Sequence, residues 1–245
     1  SWTPAKGVYG LIEHPSPEIS LESLLGSHTQ ATQARMAAEP VVLLPQDTTG
    51  LNYSGLRQTK GLGPLGEAKG QGLWLHSLLA FRPNGVPLGV LNAQCWARPQ
   101  TTASGPGRNA KSIDEKESFR WIESFWKAGD AARRMPQTQL VVITDREGDL
   151  YELHDAAQIG PDNLHVLIRA KHDRKLDCHQ KLWAFMGDKP VGQTRSLKLS
   201  RRRGQPPRTA IVEVRWAHVT IEAPAVGAKK SWPPLTLWAV WVHEP

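Results

Sequence analysis

Two short apolar runs, each leading into an aspartate, limit the folds open to this chain more than any other feature. Residues 41–44 (VVLL) precede Asp47, and residues 140–143 (LVVI) precede Asp145. Both runs are brief, β-branched and bounded by turn residues, which predicts buried strands rather than helices. Open α/β sheets keep their chemistry at the carboxyl ends of their strands. We therefore predict an α/β sheet that delivers Asp47 and Asp145 to one polar edge as a metal-binding carboxylate pair.

The residues around these runs predict a core over residues 41–172. The order of elements is β-β-β-α-β-α-β, an antiparallel meander followed by parallel strands. Asn84-Gly85 lies between two apolar runs and is a strong signal for a hairpin. Strands are predicted at 41–44, 72–81, 87–96, 140–143 and 164–168, and helices at 115–134 and 150–159.

The two ends of the chain differ from this core. Residues 1–40 have a helical bias and predict an N-terminal helical segment. Residues 173–245 predict an inserted antiparallel β region that is incomplete at residue 245. Its strands are expected at 196–199, 210–220 and 235–242. Most tryptophans, Trp121 and Trp216 among them, fall in apolar patterns and are expected in the core.

Composition narrows the class of partner. The 245 residues include 30 Lys and Arg against 23 Asp and Glu, a net charge of +7. This balance favours a polyanion, nucleic acid before a membrane surface, although a merely basic soluble protein fits the charge equally well. No apolar stretch approaches the ~20 residues that span a bilayer. The two cysteines lack paired spacing, which argues against a disulfide framework or zinc cluster and fits a reducing cytoplasm.

Four short motifs carry a resemblance to a known family. They are Gln46-Asp47-Thr48-Thr49, residues 116–121 (KESFRW), residues 145–149 (DREGD) and Tyr151-Glu152-Leu153. Together they resemble the DDE transposases of bacterial insertion sequences, specifically the transposon Tn-five group, over nearly the whole chain. Because the chain starts without Met and ends abruptly at residue 245, we expect a central fragment of such a protein.

The resemblance implies a fold, a reaction and partners. The fold is a ribonuclease-H-like core with an inserted antiparallel β region. The reaction is cut-and-paste transposition, in which a synaptic homodimer cuts double-stranded transposon ends and joins them to target DNA in the cytoplasm, at the nucleoid. Asp47 and Asp145 would be the first two carboxylates of the acidic triad, holding Mg²⁺, for which Mn²⁺ can substitute. Two such ions clamp the attacking and leaving oxygens of an in-line phosphoryl displacement.

One expected carboxylate is missing from the sequence. The family's third acid is a glutamate in a Tyr-x-x-Arg-x-x-x-Glu motif after the β insertion, and no such motif follows Asp145. Glu123 lies in a similar setting, but it precedes Asp145 and its spacing from Arg120 is three rather than four. We interpret Glu123 as a solvated helix residue. The fragment alone is therefore expected to be inactive.

A basic segment follows the last core strand and resembles the part of the family that holds the transposon end. The predicted DNA-binding residues are Arg146, Arg169, Lys171, Arg174 and Lys175. Lysine and arginine at such a site neutralise phosphates and supply affinity without reading sequence. The alternative is a solvated basic loop.

Two other functions stay open at this stage. One is a metal-dependent nuclease of the same fold, which hydrolyses DNA without strand transfer. The other is a non-catalytic remnant that binds DNA or dimerises. Joining of a 3′ hydroxyl end to target DNA would distinguish the first from a transposase, and salt-sensitive binding without cleavage would favour the second.

Overall fold

The chain has a mixed α/β fold, seen in a computed structural model, with one mixed and one antiparallel sheet. The structure describes residues 3–12, 14, 16, 18–56, 58–66, 70–99, 113–201, 204–225 and 232–245. It divides into two compact units, residues 1–169 and 170–245. No helix among the described residues is long and apolar enough to cross a membrane.

The described residues of the first unit form four helices, six strands and a short 3-10 turn at Arg146–Gly148. The helices are α1 (Thr3–Ile12), α2 (Leu21–Met36), α3 (Phe119–Arg134) and α4 (Tyr151–Gln158). The strands are β1 (Val41–Asn52), β2 (Gly63–Pro64), β3 (Gln71–Phe81), β4 (Pro87–Trp96), β5 (Gln139–Thr144) and β6 (Leu164–Ile168). The predicted order of core elements is confirmed, with β2 as an additional short strand.

The six strands form a single mixed sheet. Its central path is β2-β3-β1-β5-β6, and β4 also pairs with β3. Strands β1, β5 and β6 are parallel, whereas β3 is antiparallel to both β1 and β4. The hairpin predicted at Asn84-Gly85 is confirmed: Arg82 N donates to Val86 O at 2.9 Å, and Gly85 has φ +88°.

One face of this sheet carries the core of the unit. Alternate residues on the parallel strands, such as Val42 on β1 and Leu140 on β5, are fully buried on the same face. They share a cluster with Met36 of α2, Phe125 of α3 and Leu153 of α4. The three helices therefore pack on the same face, because each contributes to the cluster that this set of alternate residues forms. Residues one position later point to the opposite face.

Strand β1 is longer than the sequence predicted. It continues to Asn52, so Asp47 lies inside the strand and not at its end. The reason is that β1 has two partners of different length: it pairs with β5 from Val41 to Gln46, and with β3 as far as Asn52. Asp47 is thus the first residue of β1 beyond its pairing with β5.

The second unit is built on a three-stranded antiparallel sheet. Its order is β7 (Gln193–Leu199), β8 (Arg208–Ile221) and β9 (Leu235–His243), which confirms the predicted hairpins. A short helix, α5 (Leu182–Gly187), was not predicted. The small core of this unit consists of buried aliphatic side chains, including Leu176, Leu182, Met186, Val219, Ile221 and Leu235.

Candidate active site

Asp47 and Asp145 occupy matching positions on two neighbouring parallel strands. The last paired residues of β1 and β5 are Gln46 and Thr144, and each aspartate follows directly. Adjacent strands lie about 4.8 Å apart. Gln46 and Thr144 are buried on the helix-covered face, so alternation turns the two aspartates to the other face, where both are exposed. The sheet thus brings the predicted carboxylate pair together.

Backbone hydrogen bonds orient both carboxylates. Asp145 caps the 3-10 turn, and its Oδ1 accepts from the backbone N–H of Glu147 at 2.8 Å. Asp47 Oδ1 accepts from the backbone N–H of Thr48, also at 2.8 Å. Within the described part of the chain, Oδ2 of neither residue forms a hydrogen bond or an ion pair. Each side chain therefore presents one carboxylate oxygen to a ligand.

An arginine lies in the same row as the two aspartates. Strand β6 is parallel to β5, with Thr144 paired to Ile168, and Arg169 follows as Asp145 does on β5. The backbone N–H of Arg169 donates to Thr144 O at 3.1 Å, which continues the ladder past the end of β6. Asp47, Asp145 and Arg169 thus follow one another across three neighbouring parallel strands. Arg146, in the turn after Asp145, is exposed as well.

A buried histidine lies on the opposite face of β1 from Asp47. His76 on β3 has no exposed surface, and its ring is in edge contact with Trp121 of α3 at a centroid distance of 4.8 Å. Its Nδ1 is 2.7 Å from Thr48 Oγ1, and its Nε2 is 3.0 Å from Gln46 Oε1. Burial, aided by the charge of Arg120, lowers the pKa of His76 from 6.5 to about 4. The ring is therefore neutral near pH 7.

This pKa predicts an acid-sensitive fold. Because the unfolded chain binds the proton at higher pH than the folded protein, the free energy of unfolding should fall as the pH drops from 6.5 to about 4. The contribution of His76 is up to about 3 kcal/mol. Urea unfolding of wild type and His76→Gln across this range measures it as the difference in slope. Parallel pH profiles for the two proteins would contradict the prediction.

The described residues contain no group of three His, Cys, Asp or Glu side chains arranged for a metal ion. Glu123 lies on α3, on the helix-covered side of the sheet, and lines a groove between α2 and α3. Asp149, the last residue of the DREGD motif, is buried and its Oδ1 lies 3.2 Å from His154 Nε2. Neither is grouped with Asp47 and Asp145.

An ion pair holds the two sides of the β4–α3 connection close to this region. Arg98 binds Glu117 through two nitrogens, at 2.7 and 2.5 Å, and Trp96 Nε1 also donates to Glu117 at 3.1 Å. Arg98 stacks over Trp74 at 4.2 Å. Burial alone would raise the pKa of Glu117, but these hydrogen bonds and the nearby arginine charges hold it below its usual range. The hydrogen bond to Glu117 raises the pKa of Arg98, and the negative charge of Glu147, two residues after Asp145, adds to this effect.

No model of a known protein family matches the sequence, and no curated protein matches it. A piggyBac transposase, solved as a synaptic complex with hairpin DNA, resembles the structure with a TM-score of 0.33 and 9% sequence identity. The match covers 81% of this chain and 32% of the transposase chain, so the chain spans about a third of that protein. A likeness of this size carries no argument about function.

The remaining predicted DNA-binding residues lie in the second unit. Lys171 and Lys175 are exposed, and Arg174 is half-buried. Lys175 Nζ forms an ion pair with Glu222 Oε2 at 3.0 Å, which neutralises part of its charge. On strand β7, Arg195 and Lys198 are exposed, and the structure shows no acidic partner for either among the residues it describes.

The positive charge of the chain is concentrated in this second unit. Residues 170–245 contain 14 Lys and Arg against 6 Asp and Glu, a net charge of +8. Residues 1–169 contain 16 against 17, a net charge of −1. The whole-chain value of +7 conceals this division, which only the unit boundary makes visible. The positive charge that would attract a polyanion therefore lies on the second unit, which we call the β unit.

Sequence reasoning missed the polar groups on the buried side of the site. His76, Gln46 and Thr48 lie at alternating positions that end up facing the helices. A signal was present, because the polar pair His76-Ser77 interrupts the apolar run of β3 between Leu75 and Leu78. A single polar residue in a strand does not reveal its partner, however, since the partner depends on the strand register.

Proposed function

We propose that this chain is the central part of a DDE-type DNA transposase of the insertion-sequence class. One observation carries the proposal: Asp47 and Asp145 occupy neighbouring positions on parallel strands, on the face away from the helices. A carboxylate pair so placed, with a cation in the next position, suits a reaction at a phosphate group. The cation is Arg169.

The strand order supports a ribonuclease-H-like core. An antiparallel meander, β1, β3 and β4, is followed by β5 and β6, both parallel to β1 and each connected through a helix. We propose that residues 41–172 form this core, with residues 1–40 as an N-terminal helical segment. Residues 173–245 then form the β insertion.

The pair fits a magnesium ion. Mg²⁺ prefers one or two carboxylates together with waters and substrate phosphate oxygens, and a complete protein cage is not required. Asp47 and Asp145 are exposed and each presents one carboxylate oxygen. Bound there, Mg²⁺ or Mn²⁺ would lower the pKa of a coordinated water and polarise a phosphoryl oxygen.

The proposed reaction has two steps at phosphorus. Water attacks the phosphodiester at the transposon end, the bond from phosphorus to the 3′ oxygen breaks, and that oxygen leaves as a 3′ hydroxyl. The 3′ hydroxyl then attacks a phosphodiester of target DNA and displaces the 3′ oxygen of the adjoining nucleotide. Asp47 and Asp145 would hold the metal, and Arg169 and Arg146 would bind phosphate oxygens. The synaptic complex would be a homodimer in the cytoplasm, at the nucleoid.

The β unit supplies the electrostatic part of DNA binding. Its net charge of +8 includes Lys171, Arg174 and Lys175 and the exposed Arg195 and Lys198. Cations that neutralise phosphates release counterions, so affinity for double-stranded DNA should fall steeply with salt. A second candidate function is non-catalytic DNA binding. It is favoured by the absence, among the described residues, of a third ligand grouped with the two aspartates.

Iron-directed cleavage of the chain tests the carboxylate site. Fe²⁺ replaces Mg²⁺ at carboxylate sites and, with ascorbate and peroxide, cuts the backbone close to where it is bound. We expect cuts near residues 47 and 145 that excess Mg²⁺ suppresses and that Asp47→Asn removes. The control is Asp162→Asn, an exposed aspartate before β6 at the opposite end of the strand, which should leave the pattern unchanged. Cuts at other positions, or a pattern insensitive to Asp47→Asn, would overturn the site.

DNA assays with the same chain separate the candidate functions. Strand nicking followed by joining of the 3′ hydroxyl end to target DNA supports a transposase. Nicking without joining favours a nuclease of the same fold. Salt-sensitive binding of DNA with no metal-dependent cleavage favours the non-catalytic function.

A further inference from the structure

We infer that His76 is a positioning residue for Asp47 and acts from the opposite face of β1. The inference rests on the proposed function, because it concerns the same carboxylate site. His76 lies on the neighbouring strand β3, where it is paired with Thr48. It touches neither the aspartate nor the exposed face. Its effect must therefore pass through the residues on either side of Asp47.

The histidine ring is bonded to both of these residues. Nδ1 is 2.7 Å from Thr48 Oγ1 and Nε2 is 3.0 Å from Gln46 Oε1, so one imidazole bridges positions 46 and 48. A neutral imidazole has one N–H and one acceptor nitrogen. The arrangement that satisfies both contacts has Nε2–H donating to Gln46 Oε1 and the Thr48 hydroxyl donating to Nδ1.

The bridge continues to the carboxylate through the backbone. With its hydroxyl held by His76, Thr48 donates its backbone N–H to Asp47 Oδ1 at 2.8 Å. This bond fixes which oxygen of Asp47 turns back to the chain and leaves Oδ2 for a ligand. The position of the imidazole ring is fixed, because the ring is fully buried against Trp121. Groups that orient a metal ligand from outside typically change metal affinity 10–100-fold when they are removed.

Asp145 provides an internal comparison because its neighbour has no such bond. Thr144 precedes Asp145 and is buried, but its Oγ1 has no hydrogen-bond partner among the described residues. Asp145 is oriented instead by the turn that follows it, through Glu147 N–H. The two threonines thus flank the two aspartates, and a histidine anchors only Thr48.

The test compares the same substitution at these two threonines. The readout is Mn²⁺ affinity, titrated by electron paramagnetic resonance on the chain, with urea unfolding of each variant measured in parallel. We expect Thr48→Val and His76→Phe each to weaken Mn²⁺ binding roughly tenfold. Thr144→Val, which removes an unpartnered hydroxyl, should stay within about twofold of wild type. His76→Gln, which can still donate and accept, should recover part of the loss.

A double substitution shows whether the two residues act along one path. If Thr48 and His76 work through the same bond, the double variant Thr48→Val/His76→Phe should bind Mn²⁺ no more weakly than the weaker single variant. Thr48→Val also keeps the test open if His76→Phe fails to fold, because Thr48 is only half-buried.

The outcomes separate this inference from the function on which it rests. If Asp47→Asn abolishes Mn²⁺ binding while Thr48→Val and His76→Phe bind as wild type does, the positioning role is wrong and the carboxylate site stands. Equal losses for Thr48→Val and Thr144→Val, in step with their stabilities, would also overturn it, because they would indicate general loosening of the sheet. If Asp47→Asn binds Mn²⁺ normally, the site itself is wrong and the role of His76 falls with it.

Discussion

Replacement of Asp145 by asparagine is expected to abolish metal binding at the proposed site, and with it any metal-dependent nicking of DNA. Asparagine has nearly the same shape and keeps an oxygen that can accept from Glu147 N–H, so the turn should persist. It loses the negative charge that a hard cation requires. Removal of a direct ligand should cost more than removal of an outer partner, so we expect a loss of at least about 100-fold in Mn²⁺ affinity. Mn²⁺ titration and nicking of supercoiled plasmid measure the two effects.

The matched control for Asp145→Asn lies four residues away in the same motif. Asp149→Asn changes a buried carboxylate beside His154 that is not grouped with the proposed ligands Asp47 and Asp145. It should lower the free energy of unfolding and leave Mn²⁺ affinity within about twofold once the folded fraction is accounted for. The opposite result, with Asp149→Asn losing metal and Asp145→Asn keeping it, would move the site away from the exposed face.

Replacement of Gly148 by alanine should destabilise the first unit. The effect should be larger than that of replacing a glycine of the same unit at which an added Cβ would have free space. A Cβ at this position would lie 2.5 Å from Thr144 Cβ, 2.6 Å from Thr144 Oγ1 and 2.9 Å from Trp121 Cε3. These atoms belong to β5 and to a buried ring, so the turn after Asp145 must move. Overpacking of this kind costs about 1–3 kcal/mol, which urea unfolding can measure.

Gly129 in α3 is the matched control for Gly148. A Cβ there meets its nearest neighbour, Leu164 Cδ2, at 3.7 Å, which is ordinary contact. Because alanine favours the helix over glycine, Gly129→Ala should leave stability unchanged or raise it by up to ~1 kcal/mol. If both variants lost the same free energy of unfolding, the close contacts around Gly148 would not be the cause of the loss.

The parallel strands of the first unit could be predicted from sequence because their signal is local. Residues 41–44 and 140–143 are β-branched and uninterrupted, and each run forms part of a buried strand. Strand β6 at residues 164–168 was predicted with its observed bounds. The continuation of β1 through residue 52 was missed, because polar residues there are held by pairing with β3, and pairing is not a local property.

Aromatic residues illustrate the same limit. Trp121 was expected in the core and is 3% exposed, whereas Trp216 was expected there too and is 46% exposed. Both lie in apolar patterns. Trp121 is on α3, whose helical period directs it to the sheet, while Trp216 is on a strand of a small sheet with limited material to cover it. Burial depends on what packs against a face, which the pattern of one element does not contain.

The sequence could predict that the two aspartates lie at the same edge of the sheet, but not that they occupy neighbouring positions. The strand runs predicted that both would reach one edge, but the neighbouring positions follow from the β1–β5 register. The charge division between the units was equally hidden, because the position of the boundary after Arg169 decides which cations are counted together.

Helices α2, α3 and α4 pack on one face of the first sheet. Residues on that face are constrained by protein stability, whereas residues on the other face are constrained by the proposed carboxylate site. Along β1 as far as Gln46 and along β5, the even-numbered positions are buried in the helix-covered core, while the odd-numbered positions lead to Asp47 and Asp145. A saturation mutagenesis scan of these two strands should therefore show a two-residue rhythm. Substitutions at the buried even-numbered positions should lower protein abundance, and substitutions at the odd-numbered positions should lower metal-dependent activity on DNA. Thr48 is the even-numbered position at which substitutions should lower both.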